Sequence, residues 1–409
     1  MLHSAKNSTD HPPNQRPVVS VAWAVAALAL FLLWQFLTVH YNRTGTWTAL
    51  FLTGQDFPAP PDLVAGTYRF PGAGYDGEMY RYVAHDLFMR RGYARYLDGP
   101  AQRYHRILVP ALAYLLVAGY QPWIDASYIG VVALFVFFGA YWLSRWAILA
   151  GAHPAWALAF LLTPATLISM DRMTVDVALV AFTAAVALYW KTGSARKLFV
   201  VLLLACLVRD TALLLVAGLC LFELFHRRFA RVALWASAAL PMFIWYFLLS
   251  RIFPVKSHYG APVWFANKVG PGLFYHLFQP PRYPLPPALE TVARFADALA
   301  LAAILLACVL AILLVLRSRP TGPLAISALL FAALVFALTD RQYWTDVNGY
   351  ARVLSPLLLL VALPSIANES RPAFPWWLGL APSIVVDLRL GLQFASPIGG
   401  VLRGLLHLG

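Results

Sequence analysis

Apolar runs close to the length of a bilayer-spanning helix recur from one end of the chain to the other, separated by short polar breaks. The first is Val18–Val39. A long polar stretch from His40 to Tyr104 follows it, and then the run Ile107–Tyr120. Beyond these lie Ala126–Leu143, Ala155–Met170, Val175–Trp190, Leu198–Phe225, Val232–Ser250, Val292–Leu316, Pro323–Leu338 and Val353–Ile366. The tail from Phe374 is apolar but broken by Asp387 and Arg389, and is expected to hold one more span. The pattern predicts an all-α, polytopic transmembrane protein with about ten or eleven crossings. Residues 1–17 are polar and contain prolines, and read as a disordered cytoplasmic tail. Val18–Val39 is too long for the apolar region of a signal peptide and reads as an uncleaved anchor.

Composition agrees. The chain is 61% hydrophobic and 12% charged, where soluble domains carry about a quarter charged residues. The formal charge of +13 does not indicate a nucleic-acid partner, because the basic residues are scattered among the runs and form no basic helix. They set orientation instead. Lys6 and Arg16 place the N-terminus inside, and the breaks Lys191–Lys197 and His226–Arg231 are inside as well. Leu198–Phe225 therefore begins and ends on the inner side, and is expected to be a hairpin of short helices with Val208–Thr211 at its tip. Counting back from Lys191, Ile107–Tyr120 begins and ends outside. It is too short to span and is expected to be interfacial or re-entrant. The expected organisation is a transmembrane module over 18–250 with an outer loop at 40–124, a second outer loop at 251–290, and C-terminal helices over 291–409. Cys206, Cys220 and Cys308 lie within apolar runs and read as small buried hydrophobes, and no histidine pair has metal-ligand spacing.

This topology gathers the sparse charges at one face: Asp76, Glu78, Arg81, His105, Arg106, Asp171, Arg172, Asp176, Arg209, Asp210, Asp340, Arg341 and Arg352. Ionisable groups at membrane depth are functional candidates by default. Each also has a plain reading. Asp76-Gly77 is a good turn dipeptide, Asp171 can cap the following helix, and Arg209-Asp210 can be a local ion pair. Arg106 and His105 can anchor an interfacial helix. In combination these residues point to one chemistry. A carboxylate over a wet cavity can act as general base toward a hydroxyl. Arginines at headgroup depth suit a phosphate whose lipid tail stays in the bilayer.

The order of several short motifs resembles the GT-C superfamily of polyprenyl-phosphate-sugar-dependent glycosyltransferases, above all the bacterial cell-surface glycopolymer members and the PIG-V-like mannosyltransferases. The carrying pieces are Gly74-Tyr75-Asp76-Gly77-Glu78-Met79-Tyr80-Arg81-Tyr82, Tyr104-His105-Arg106-Ile107-Leu108-Val109-Pro110 and Thr163-Pro164-Ala165 with Asp171-Arg172 and Asp176. They continue with Leu207-Val208-Arg209-Asp210-Thr211 and Tyr350-Ala351-Arg352-Val353-Leu354-Ser355-Pro356. The resemblance implies that Asp76 is catalytic, that Asp171 or Asp176 is the acidic position of the second outer loop, and that Arg209 and Arg352 bind substrate. Glu78, Arg81, His105, Arg106, Arg172, Asp210 and Tyr350 join them as substrate-binding candidates. It further implies a polyprenyl-phosphate-sugar donor, a glycan, glycolipid or protein acceptor, contact with membrane lipid, and a site on the outer side of a bacterial inner membrane. The chain departs from the family in having Asp210 where the hairpin tip often carries Glu. No Asp-x-Asp pair stands in the second loop, which leaves a divalent metal without support, and no cofactor is assigned. No large soluble C-terminal domain follows, unlike the oligosaccharyltransferases. A flippase or transporter of lipid-linked glycan and a scaffold of a polysaccharide assembly complex are the competing expectations.

Overall fold

The computed structural model describes residues 15–43, 45–65, 67–253, 272–273, 278, 281–283, 285–317, 322–338, 342–367 and 373–406. Among these the regular elements are helical, and the one pairing outside them is an isolated bridge between Gly54 and Phe70. Helices satisfy their own backbone groups, as a lipid environment demands. Five of them, Pro17–Asn42, Gln121–Leu149, Pro287–Arg317, Val347–Ile366 and Trp376–Leu405, are long and apolar enough to cross a membrane, or up to seven if two bent pairs each count as one span. Most of the 251–290 loop, the tail at 1–14, Asp340, Arg341 and the expected inner turn at 368–371 lie outside the described residues.

Helix α1 (Gln15–Asn42) packs along α6 (Gln121–Leu149), and α6 packs along α8 (Asp176–Lys191). Between α1 and α6 in sequence lie the short helices α2 (Pro61–Val64), α3 (Asp76–His85), α4 (Pro100–His105) and α5 (Leu108–Leu116); α3 and α5 pack on α6 and on each other, and α4 packs on α3. α5 is nine residues long, about 14 Å against a hydrocarbon core of about 30 Å. A second group forms from α13 (Pro287–Arg317), α14 (Pro323–Ala337) and α17 (Trp376–Leu405). α15 (Gln342–Thr345) leads into α16 (Val347–Ile366), which packs on α7 (Pro164–Arg172), α8, α13, α14 and α17 and is buried almost throughout. α16 therefore joins the two groups.

Two expected runs take a different form, and a third differs in its packing. Ala155–Met170 is a 3-10 helix (Pro154–Leu162) followed by α7 (Pro164–Arg172), bent by 59°. The cause is local. Thr163 precedes proline and is extended, with ψ 134, because proline crowds the helical conformation of its predecessor. The freed Ala165 N–H donates to Ser355 Oγ of α16 at 2.8 Å. Val232–Ser250 is likewise two helices, α11 (Phe229–Ser237) and α12 (Leu240–Ile252), bent by 43° just ahead of Pro241. Leu198–Phe225 breaks where expected, at extended Arg209 (φ −161, ψ 142). However, α9 (Ala195–Val208) and α10 (Leu213–Phe225) barely touch: α9 lies on α8, and α10 on α11 and α14. Small residues admit the α10–α14 approach, since a Cβ on Gly218 would meet Ser327 Oγ at 2.0 Å.

The tail departs most from expectation. Asp387 and Arg389 do not interrupt it, and α17 runs unbroken for 30 residues. Arg389 Nε donates to Asp297 Oδ1 of α13 at 2.5 Å, and Arg389 Nη2 to the Tyr283 hydroxyl at 2.9 Å. An interhelical pair thus replaces the water that a break would have supplied.

Candidate functional site

The site is built at the junction of α3, α4, α7, α8 and α16. Asp76 opens α3, where the helix N-terminus favours a negative charge. The next residue has no room for a side chain: a Cβ on Gly77 would lie 2.1 Å from the Arg172 carbonyl oxygen. The Asp-Gly dipeptide is therefore no turn but the first turn of a helix docked against the end of α7. Asp176 opens α8 after Met173, which is left-handed (φ 46). Arg209 stands at the α9 break and Arg352 in the second turn of α16, not at its start.

One guanidinium links the two carboxylates. Arg352 Nη2 lies 2.6 Å from Asp76 Oδ2 and Arg352 Nη1 lies 3.7 Å from Asp176 Oδ2. Arg103 Nη2 donates to the other Asp76 oxygen at 2.9 Å and also holds Asp98. Arg209 pairs with Asp176 Oδ1. Arg106 is buried and donates to the Tyr80 hydroxyl. Tyr75 forms the wall, with the Arg352 and Arg172 guanidiniums 5.0 and 4.9 Å from its ring. Arg103, Arg106, Arg209 and Arg352 are buried, against the two carboxylates of Asp76 and Asp176; Asp98 is exposed at the rim. Arg209 Nε and Arg352 Nε are buried with no hydrogen-bond partner. A buried surplus of positive charge is costly, and an anionic ligand would relieve it. Asp76 is the reachable carboxylate, 16% exposed where Asp176 is 1% exposed. Burial pushes the Asp76 carboxyl up, but Arg103 and Arg352 overcome this and hold it well below the usual range, so it is ionised.

The remaining candidates divide. His105 stacks on Tyr246 with ring centroids 3.7 Å apart; burial pushes its imidazole down to about 4, against the pull of Asp210, so it is neutral at pH 7. Asp210 accepts its neighbour's Thr211 N–H at 3.1 Å. Glu78 turns toward the preceding loop, where Oε2 accepts the Gly54 N–H at 2.9 Å. Tyr350 stacks on Trp344 at 5.5 Å, two residues from Arg352 and so on another side of α16. Of the two acidic alternatives, the fold brings Asp176 into the cluster. Asp171 accepts from Trp34 Nε1 at 3.0 Å and lies with Arg172 in a smaller cleft of about 190 Å³. Asp171 does not cap α8, as it ends α7. Arg209 takes Asp176 as its partner rather than its sequence neighbour Asp210, and Arg352 takes Asp76.

Arg81 leaves the cluster altogether. It forks onto Asp125 at 2.8 and 2.7 Å, and His85 Nε2 reaches the same carboxylate at 2.9 Å. Sequence reasoning missed Arg103 and Asp125. Arg103 stands in the same basic, tyrosine-containing segment as Arg106, and Asp125 is the acidic residue just ahead of the Ala126 run; both were visible as charges beside apolar runs. Among the described residues no three His, Cys, Asp or Glu side chains gather to hold a metal ion. The chain matches no family model, no curated protein and no solved structure.

Proposed function

We propose that the chain is a multi-pass glycosyltransferase of GT-C-like architecture, moving a sugar from a polyprenyl-phosphate donor to a glycan, glycolipid or protein acceptor on the outer side of a bacterial inner membrane. The observation that carries this reading is a single one: Asp76, reachable from solvent, sits between two guanidiniums of a cluster with surplus positive charge. The surplus suits a phosphate, and the guanidinium fork binds phosphate oxygens bidentately. The ten or eleven crossings and their inside–outside order belong to the same proposal, which places the cluster at headgroup depth.

In this reading Arg352 and Arg209 receive the donor phosphate. As Arg352 turns toward the phosphate, Asp76 loses one of the two cations that depress its basicity. Asp76 then takes the proton from the acceptor hydroxyl. The hydroxyl oxygen attacks the anomeric carbon, the bond from that carbon to the phosphate oxygen breaks, and its electron pair leaves with the polyprenyl phosphate. Attack opposite the leaving group inverts the configuration. The developing phosphate charge is held by the arginines.

The test is transfer of isotope-labelled sugar from a polyprenyl-phosphate donor by purified protein in detergent. Asp76→Asn keeps shape and removes basicity, so turnover is expected to fall by about 10²–10⁴. Undiminished transfer at equal expression would remove Asp76 from the reaction. Movement of lipid-linked glycan across vesicles, with no transfer product, would favour the transporter reading.

A further inference from the structure

A second polar site lies on another side of α3. Along that helix Asp76 and Tyr80 serve the arginine cluster, whereas Arg81 and His85, one turn apart, turn toward the start of α6. There a row of hydrogen-bonded groups lines one wall of an open cavity of about 580 Å³: Gln121 to His85 Nδ1 at 2.8 Å, His85 Nε2 to Asp125 at 2.9 Å, and Asp125 to Arg81. The volume is within the range of about 300–1,000 Å³ usual for small-ligand clefts. Arg81 is 3% exposed, and its Nη1 has no hydrogen-bond partner. Asp125 keeps 21% of its side chain exposed. Thr48 and Trp47 line the same cavity, the latter 41% exposed at the start of a 3-10 turn, Trp47–Phe51.

The charge balance identifies the ligand class. Arg81 is matched by Asp125, and Arg91 is matched by Asp62 at 2.7 Å on the cavity rim. Each arginine of the cavity holds a carboxylate and each carboxylate an arginine, unlike the Asp76 cluster, where four buried arginines meet the two carboxylates of Asp76 and Asp176, so neither a phosphate nor a cationic ligand is favoured by an unmatched pair partner. Its lining mixes carboxylate and amide acceptors with guanidinium, amide and hydroxyl donors, which is too polar for a lipid chain. A neutral ligand with neighbouring hydroxyls, each both donor and acceptor, meets these demands. The Trp47 ring offers a face for the apolar C–H side of such a ring. We infer that this cavity binds a neutral oligosaccharide, in a site separate from the arginine cluster. The inference needs only binding, and does not depend on sugar transfer at Asp76.

Equilibrium binding by calorimetry to protein in lipid nanodiscs tests it, with maltotriose, cellotriose, mannotriose and chitotriose as probes. At least one is expected to bind saturably. Trp47→Ala, at an exposed position where folding is not at risk, is expected to weaken that binding roughly three- to tenfold. Asp125→Asn is expected to weaken it further, and Asp76→Asn to leave it unchanged. If none of the four binds, or if binding is indifferent to both Trp47→Ala and Asp125→Asn, the inference is overturned. If binding follows Asp76→Asn instead, the sugar belongs in the arginine cluster and the second site is again ruled out. A loss of transfer in Asp76→Asn with oligosaccharide binding intact would separate the two sites.

Discussion

Glu78 shows how a single buried side chain makes this protein sensitive to pH. Its carboxyl ordinarily titrates near 4.5; burial pushes it to about 7, against the opposing pull of the Gly54 N–H and the Tyr82 hydroxyl. Between those values the folded chain holds a proton that the unfolded chain has released. The stability this contributes is full below about 4.5 and is lost as pH rises through about 7. Glu78→Gln keeps the shape and removes the charge. Thermal melts of the variant relative to wild type are expected to improve on going from about pH 5 to about pH 8; an equal offset at both would show that the charge is not buried. The same scale shows how legible the site was. Asp76, Asp176, Arg106, Arg209 and Arg352 stand out as charges next to apolar runs, and the fold brings them together. Spacing could not separate Asp171 from Asp176, because which one faces the cluster depends on where α7 ends and α8 begins. Nor could it show that Arg81 turns away from Asp76, since that follows from α6 starting early enough to present Asp125.

Among the elements, helix existence was legible from apolar runs, and continuity was not. Breaks at Pro164 and near Pro241 have a local cause in the sequence, but their bends need partners such as Ser355 to receive the freed backbone. The α17 helix departs in the opposite direction: Asp387 and Arg389 promise an interruption, yet the helix continues past both, and Arg389 is taken up by Asp297 on α13. α5 is the element whose placement most affects the proposed topology. Its nine residues leave Leu115, Leu116 and, just beyond, Tyr120 more than half exposed, as suits a helix lying at an interface. Single cysteines at Gln102 and Tyr120, in a background without Cys206, Cys220 and Cys308, are expected to react with an impermeant thiol reagent from the same side of sealed vesicles. Reaction from opposite sides would make α5 part of a crossing and reverse the orientation of everything after it.

Taken whole, the molecule is two helix groups joined through α16 and through the packing of α17 on α1, and a buried ion pair ties the later group together. Arg389 and Asp297 are both nearly inaccessible and share Tyr283. Removing one partner leaves an uncompensated charge, so Arg389→Met alone is expected to cost about 3–5 kcal/mol. The double variant with Asp297→Leu is expected to recover a good part of that, with a coupling of about 1 kcal/mol or more in a double-mutant cycle read by equilibrium unfolding in mixed micelles. Strict additivity would show that the two helices are held by packing alone.

The contact between Gly77 and the Arg172 carbonyl bears on how any genetic screen of this protein would be interpreted. A position that admits no side chain at all tolerates no substitution, and a library of random variants would return Gly77 among its most sensitive sites, beside Asp76 itself. The sensitivity of that residue would measure whether α3 can seat against α7, and so whether Asp76 arrives among its arginines, rather than any part that Gly77 takes in chemistry. A ranking by intolerance alone would therefore enlarge the apparent reaction centre by one residue whose whole role is to leave room.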